Sequence, residues 1–194
     1  MYKVNLKIES TQKYNDYLRS ITFNWAGVSN NIAYHFSYLE YLYQLQYFIP
    51  LSGYQFLDGL RIKTIITEIA SCAEVLLYDS VINLTVSDNW DNSTKLNLDP
   101  KVGFFVLLEY AFQHKIINKS LKGRLHKLFD LRHKIHLTHG TRDPDNFNTK
   151  LLKDQEKTLE DLIMHFLKER KRNVSTVPDI DINDIPFPWN IVNT

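Results

Sequence analysis

The stretch "RIKTIITEIASCAEVLLYDSVI" constrains the fold more than any other. Ile62, Ile65, Ile66, Ile69, Ala73, Leu76, Leu77 and Ile82 recur at three- and four-residue steps. That period predicts a helix over roughly residues 60 to 83 with an unusually wide apolar face. A helix so apolar must be covered by several others, so it is expected at the centre. The chain has only 6 Gly and 6 Pro in 194 residues, too few for the many turns of a β sandwich. With 44% apolar residues, 11 Tyr and 11 Phe, it can bury a sizeable core.

The other segments repeat the helical pattern. "SNNIAYHFSYLEYLYQLQYFI" reads as a long helix, with Ser29 as its expected cap and Pro50 beyond its end. Ile32, Phe36, Leu39, Leu42 and Tyr43 form its inward face. Tyr34, Tyr38 and Tyr41 make a second stripe, expected to pack. Residues 11 to 23 suit a shorter helix before it. "TVSDNWDNSTKLNLDP" is polar and rich in turn residues, a surface loop. A third helix is expected near "KVGFFVLLEYAFQHKII". A fourth, "LKGRLHKLFDLRHKIHLTH", is expected with Ser120 as cap, Leu121, Leu125, Leu128, Leu131 and Ile135 inward, and Gly140 at its end. A fifth runs from about 150 to 171, with Leu151, Leu152, Leu159, Leu162, Ile163, Phe166 and Leu167 inward. The expectation is an all-α, up-and-down helical bundle of four to five helices spanning residues 1–172. An extended C-terminal tail follows over 173–194. Its segment "VPDIDINDIPFPWN" has three Pro, three Asp and no basic residue. Ile180, Ile182, Ile185, Phe187 and Trp189 suit docking on a surface, this chain's or a partner's.

Several classes find no support. No stretch approaches 18 uninterrupted apolar residues, so no membrane span is expected. The N-terminus "MYKVNLKIES" does not read as a signal peptide. The single cysteine, Cys72, lies among apolar residues and reads as a core thiol, and a cytoplasmic location follows as the expectation. There is no GxGxxG, Walker loop, GxSxG or CxxC, and no cofactor is expected.

Charge is unevenly distributed. Residues 113 to 142 hold Lys115, Lys119, Lys122, Arg124, Lys127, Arg132, Lys134 and Arg142 against one acid, Asp130. Five of the seven histidines lie there too. Such a segment attracts phosphate or forms a solvated helical face. Within it, Arg132 and His136 differ in direction by roughly 40° on a helix, and Arg132 and His139 by roughly 20°. These three share a face that borders the leucine edge, while His133 and Lys134 point elsewhere, His133 least far. Imidazole exchanges protons near neutral pH, and guanidinium grips phosphate in two-point fashion. Together they suit RNA cleavage without a metal. A metal site is the less favoured alternative. His133, His136 and His139, three apart in succession, spiral away by roughly 60° per step, and a carboxylate from Glu68 or Glu74 would be needed. No metal is therefore expected. A polar dimer seam without catalysis is the structural alternative.

"LRHKIHLTHG" resembles the signature helix of HEPN domains (higher eukaryotes and prokaryotes nucleotide-binding). That motif is an Arg, usually followed by a polar residue, with four to six residues between the Arg and a His. A typical form is "LRNxIAH". The order of elements is similar too: "ASCAEVLL", then "FFVLLEYAFQHKII", then the leucine-rich motif helix. The resemblance covers about residues 60 to 140. It departs from the pattern where Arg132 and His136 have three intervening residues, and where His133 replaces the common Asn. The six residues between Arg132 and His139 fit. The resemblance implies an all-α homodimer with two facing motifs. It also implies a metal-independent endoribonuclease of a toxin or defence system with an antitoxin partner, or a catalytically silent binding module. Arg132 would hold phosphate, and His136, His139 or His133 would be acid or base. Lys122, Lys127 and Lys134 would bind an RNA backbone or nucleotide. One of Glu68, Glu74 and Glu109 would accept a hydrogen bond from Arg132, the others lying exposed.

Overall fold

The structure is a computed structural model that describes residues 11–19, 27–48, 55–86, 102–137, 147–173 and 185–190. Among these residues six helices and no strand occur: α1 (Thr11–Leu18), α2 (Gly27–Phe48), α3 (Gln55–Val86), α4 (Phe104–Gln113), α5 (Lys119–Leu137) and α6 (Thr149–Asn173). The all-α bundle expected from the sequence is thus observed. None of these helices is long and apolar enough to cross a membrane.

Helix α3 is the axle of the bundle, in contact with α2, α4, α5 and α6. Its residues Ile62, Ile65, Ile66, Ile69, Ala73, Leu76 and Leu77 are all at most 1% exposed. Each large side chain so placed contributes about 1.5–3 kcal/mol relative to exposure. Cys72 is fully buried among them, and burial, then the nearby Glu68 charge, pushes its thiol well above the usual range. It is a core residue, as expected, and not a nucleophile.

Asn118 caps α5, its side-chain Oδ1 accepting the Leu121 amide at 2.9 Å. Ser120, the expected cap, is the second residue of the helix. Asn118, two positions earlier, takes the cap role through the Leu121 amide and leaves Ser120 exposed. Asn148 caps α6 in the same way, through the Leu151 amide at 3.0 Å. Ser29 is likewise no cap. Helix α2 already starts at Gly27, and Ser29 is buried inside its first turn.

The turn between α4 and α5 fixes how the motif helix leaves its neighbour. Lys115 has φ 58°. Its amide bonds to the Phe112 carbonyl at 3.0 Å, and the Ile116 amide to that of Ala111 at 2.8 Å. This is a Schellman close, with lysine at the left-handed position that glycine usually takes. Ile116 is 1% exposed, and its carbonyl accepts the ring N–H of His165 on α6. The chain therefore reverses against a fixed point rather than through a slack loop.

The tail's described segment docks on its own chain. Phe187 and Trp189 stack on each other and pack against Phe36 of α2. The Trp189 indole N–H donates to Glu160 of α6 at 2.7 Å. The surface left open by the sequence is thus the α2–α6 seam. The tyrosine stripe of α2 differs from expectation: Tyr34 is 66% exposed and Tyr38 43%. Tyr38 stacks on Tyr41 at the surface instead of packing inward.

Candidate functional site

Helix α5 is 19 residues long and wedged between α3, α4 and α6. Leu121, Leu125 and Leu128 anchor it, each no more than 2% exposed. Leu131 and Ile135, expected on the same buried edge, are only partly covered. Phe129 is the deeper residue at this level, 5% exposed and stacked on Phe104 of α4. The helix therefore sinks one flank against aromatic rings and lifts the other toward α6.

Arg132 sits on the aromatic flank. Its Nη1 donates to the Glu74 carboxylate of α3, and its guanidinium carbon lies 5.6 Å from the centre of the Phe129 ring. The carboxylate fixes the guanidinium from one side and the ring supports it from below. Of five N–H donors in a guanidinium, Glu74 takes one. A pocket of about 330 Å³ opens here, lined by Glu74, Phe104, Phe105, Phe129, Arg132 and His133. It joins a cation, an exposed imidazole and a set of rings on which a base can stack.

His133 was expected to point away from Arg132 but lines the same pocket. The pocket is wide enough to take in successive α5 residues, about 100° apart. His136 belongs to α5, but its side chain and all of His139 lie outside the described residues. His126 lies on the same side of α5, 3.1 Å from Asp130 and 5.0 Å from the Phe105 ring.

The three lysines do not form one cluster. Lys122 is held on the α4 side, 2.7 Å from Glu109 and 4.4 Å over the Phe112 ring. Lys134 lines a groove of about 580 Å³ between α5 and α6. Lys127 lines that groove and also a shallower cleft beside Lys122.

Of the three acids considered, Glu74 meets Arg132. Glu68 pairs with His35, and Glu109 with Lys122. Neither Glu68 nor Glu109 is thus an unpartnered surface acid. Glu68 and Glu74, the carboxylates a metal on the histidine series would need, both serve these pairs. Among the described residues, no three His, Cys, Asp or Glu side chains converge as metal ligands do. Phe129 and Phe105 were missed as site residues. The leucine period drew attention to positions 128 and 131, and only the fold brings α4's rings beneath Arg132. Comparison with protein-family models, curated proteins and solved structures finds no match for this chain, so its functional reading rests on the geometry of this site.

Proposed function

We propose that the chain is a HEPN-like RNA-binding protein that cleaves RNA without a metal, acting as a cytoplasmic homodimer in a toxin or defence system, with an antitoxin as a further partner. The observation that carries this reading is Arg132, clamped by Glu74 over Phe129 at the edge of a pocket shared with His133. Arg132 binds the scissile phosphate and neutralises the charge that builds on it. A histidine of the set His133, His136 and His139 takes the proton of the ribose 2′-hydroxyl. The oxygen attacks phosphorus, the P–O5′ bond breaks, and a second acid returns a proton to the departing 5′-oxygen. The product is a 2′,3′-cyclic phosphate. Two facing copies of α5 supply the acid and the base.

The test is RNA cleavage in EDTA by the parent, Arg132→Ala, His133→Ala and His136→Ala/His139→Ala. Arg132→Ala is expected to lower cleavage about 10²–10³-fold, the usual cost of removing a transition-state donor. Equal cleavage by parent and Arg132→Ala would remove the catalytic reading. A second reading, a silent binding or dimerisation module, is favoured by the same ion pair, because Arg132–Glu74 ties α5 to α3 whether or not anything is cut. A folded, dimeric parent that cuts no RNA would select it.

A further inference from the structure

The groove between α5 and α6 carries features that the Arg132 pocket does not explain. Arg124, Lys127 and Lys134 border it from α5 and Lys157 from α6, against Asp130 and Asp154. Asp161 occupies Arg124 and bonds Lys157 at 3.1 Å, and Glu160 also pairs with Lys157. Asp130 is engaged by His126. Lys127 makes no ion pair among the described residues. Lys127 and Lys134 are seven residues apart on one helix, nearly eclipsed and about 10 Å apart along its axis. Set in a row along the helix, the two ammonium groups suit a ligand that carries several phosphates in series.

The groove wall also holds two buried polar atoms without a partner: Nε of Arg124 and Oε1 of Gln155. Gln155 is 5% exposed, and its Nε2 reaches only the Leu151 carbonyl, at 3.4 Å. Leaving such groups unpaired is costly. One is a donor and the other an acceptor. A hydroxyl can accept from the first kind of atom and donate to the second. Leu131 and Leu151 give the groove an apolar lining on which a sugar ring can rest.

We propose that the α5–α6 groove is a second RNA subsite, in which Lys127 and Lys134 hold successive phosphates and Arg124 and Gln155 read a ribose 2′-hydroxyl. The proposal rests on the RNA reading above, but it assigns binding to a surface that the Arg132 pocket does not share. The groove thus selects RNA over DNA, because only RNA carries the 2′-hydroxyl.

The test measures binding of a short single-stranded RNA, and of DNA of the same sequence, to full-length Arg132→Ala, which leaves the RNA intact. RNA is expected to bind more tightly than DNA by about two- to tenfold, the worth of one net hydrogen bond. Adding Gln155→Met, which keeps the volume and removes the acceptor, is expected to abolish that preference with DNA affinity unchanged. Adding Lys127→Ala/Lys134→Ala is expected to weaken RNA and DNA together. An unchanged preference in Gln155→Met, or unchanged affinity in the lysine variant, overturns the subsite. If Arg132→Ala binds RNA and DNA equally while the parent cleaves RNA, the groove fails and the catalytic reading stands. If Arg132→Ala binds with RNA preference while the parent cleaves nothing, the groove stands and the catalytic reading fails.

Discussion

The two flanks of α5 are built on opposite principles. On the α4 side, one cation is locked by a carboxylate and held over stacked rings, in a pocket of about 330 Å³. On the α6 side, four cations border a wider groove of about 580 Å³. The first arrangement fixes a guanidinium in one orientation, which suits chemistry at one phosphorus. The second spreads charge along a surface, which suits grip on a backbone. The difference teaches that basic residues close in sequence need not serve one purpose. A single residue, His133, separates Arg132 from Lys134, yet they line different cavities.

The contrast breaks most visibly at Phe129. Because this ring is 5% exposed, stacks on Phe104 and underlies Arg132, Phe129→Ala removes packing and positioning at once. A loss of about 3–5 kcal/mol is expected from the cavity alone. Urea unfolding would show it as a large fall in the midpoint. Lys127→Ala, on an exposed side chain of the other flank, is expected to leave the midpoint within about 0.5 kcal/mol of the parent. Similar midpoints for the two variants would mean that the aromatic flank is not the structural one.

Arg132→Ala separates chemistry from stability on the same flank. The ion pair with Glu74 is about a third exposed on both sides, so solvent screens it and its loss is expected to cost no more than about 1 kcal/mol. Cleavage should instead fall about 10²–10³-fold, as argued above. A variant that unfolds together with its loss of cleavage would reassign Arg132 to a strut.

Salt dependence sharpens the contrast further. Each phosphate contact on a single strand contributes about 0.7 to the slope of log affinity against log salt. Lys127→Ala and Lys134→Ala are each expected to lower that slope by about this amount. Lys122→Ala is expected to change it less, because Lys122 is already committed to Glu109 and Phe112. Equal slopes for all three variants would return the lysines to a single undivided patch.

Much of the bundle was readable from residue spacing, and the reason is local. The apolar period of α3 depends only on its own residues, and every inward position named for it within the described side chains is buried. Helix boundaries were less readable. Ser120 and Asn118 are both good caps, and only the hydrogen bond to Leu121 chooses between them. The site was half readable. Arg132 and the three candidate acids were in view, but spacing along α3 cannot say which acid α5 will reach. Phe105 and Phe129 had no signal of their own, since their role comes from α4 folding back beneath α5. The tyrosine stripe of α2 misled because helical spacing gives a face, not its depth.

The smallest expected effect carries the contrast onto α6, whose two faces hold carboxyls perturbed in opposite directions. At the groove, burial alone would raise Asp161. Hydrogen bonds from Arg124 and Lys157, with their charges, outweigh it and hold the carboxyl below its ordinary range. On the face toward α2, burial raises Glu156, and the Glu160 charge adds to this, against a hydrogen bond donated by Tyr43. Burial and then the Glu156 charge push the Tyr43 phenol far above its usual range, so it stays a donor throughout. The two carboxyls therefore contribute to stability with opposite signs. A depressed folded pKa gives stability that is present above the unfolded value and lost as pH falls through the folded one. A raised folded pKa gives stability that is present below the unfolded value and lost as pH rises through the folded one. Relative to Asp161→Asn, the parent should gain stability as pH rises out of the acid range. Relative to Glu156→Gln, which still accepts from Tyr43, the parent should lose stability as pH rises through and above the ordinary carboxylate range. Both groups are partly exposed, so each change should stay within about 1 kcal/mol. Urea midpoints of parent and variants from about pH 3 to pH 8 read both slopes in one series. Slopes of the same sign would mean that the Arg124–Asp161–Lys157 network does not outweigh burial.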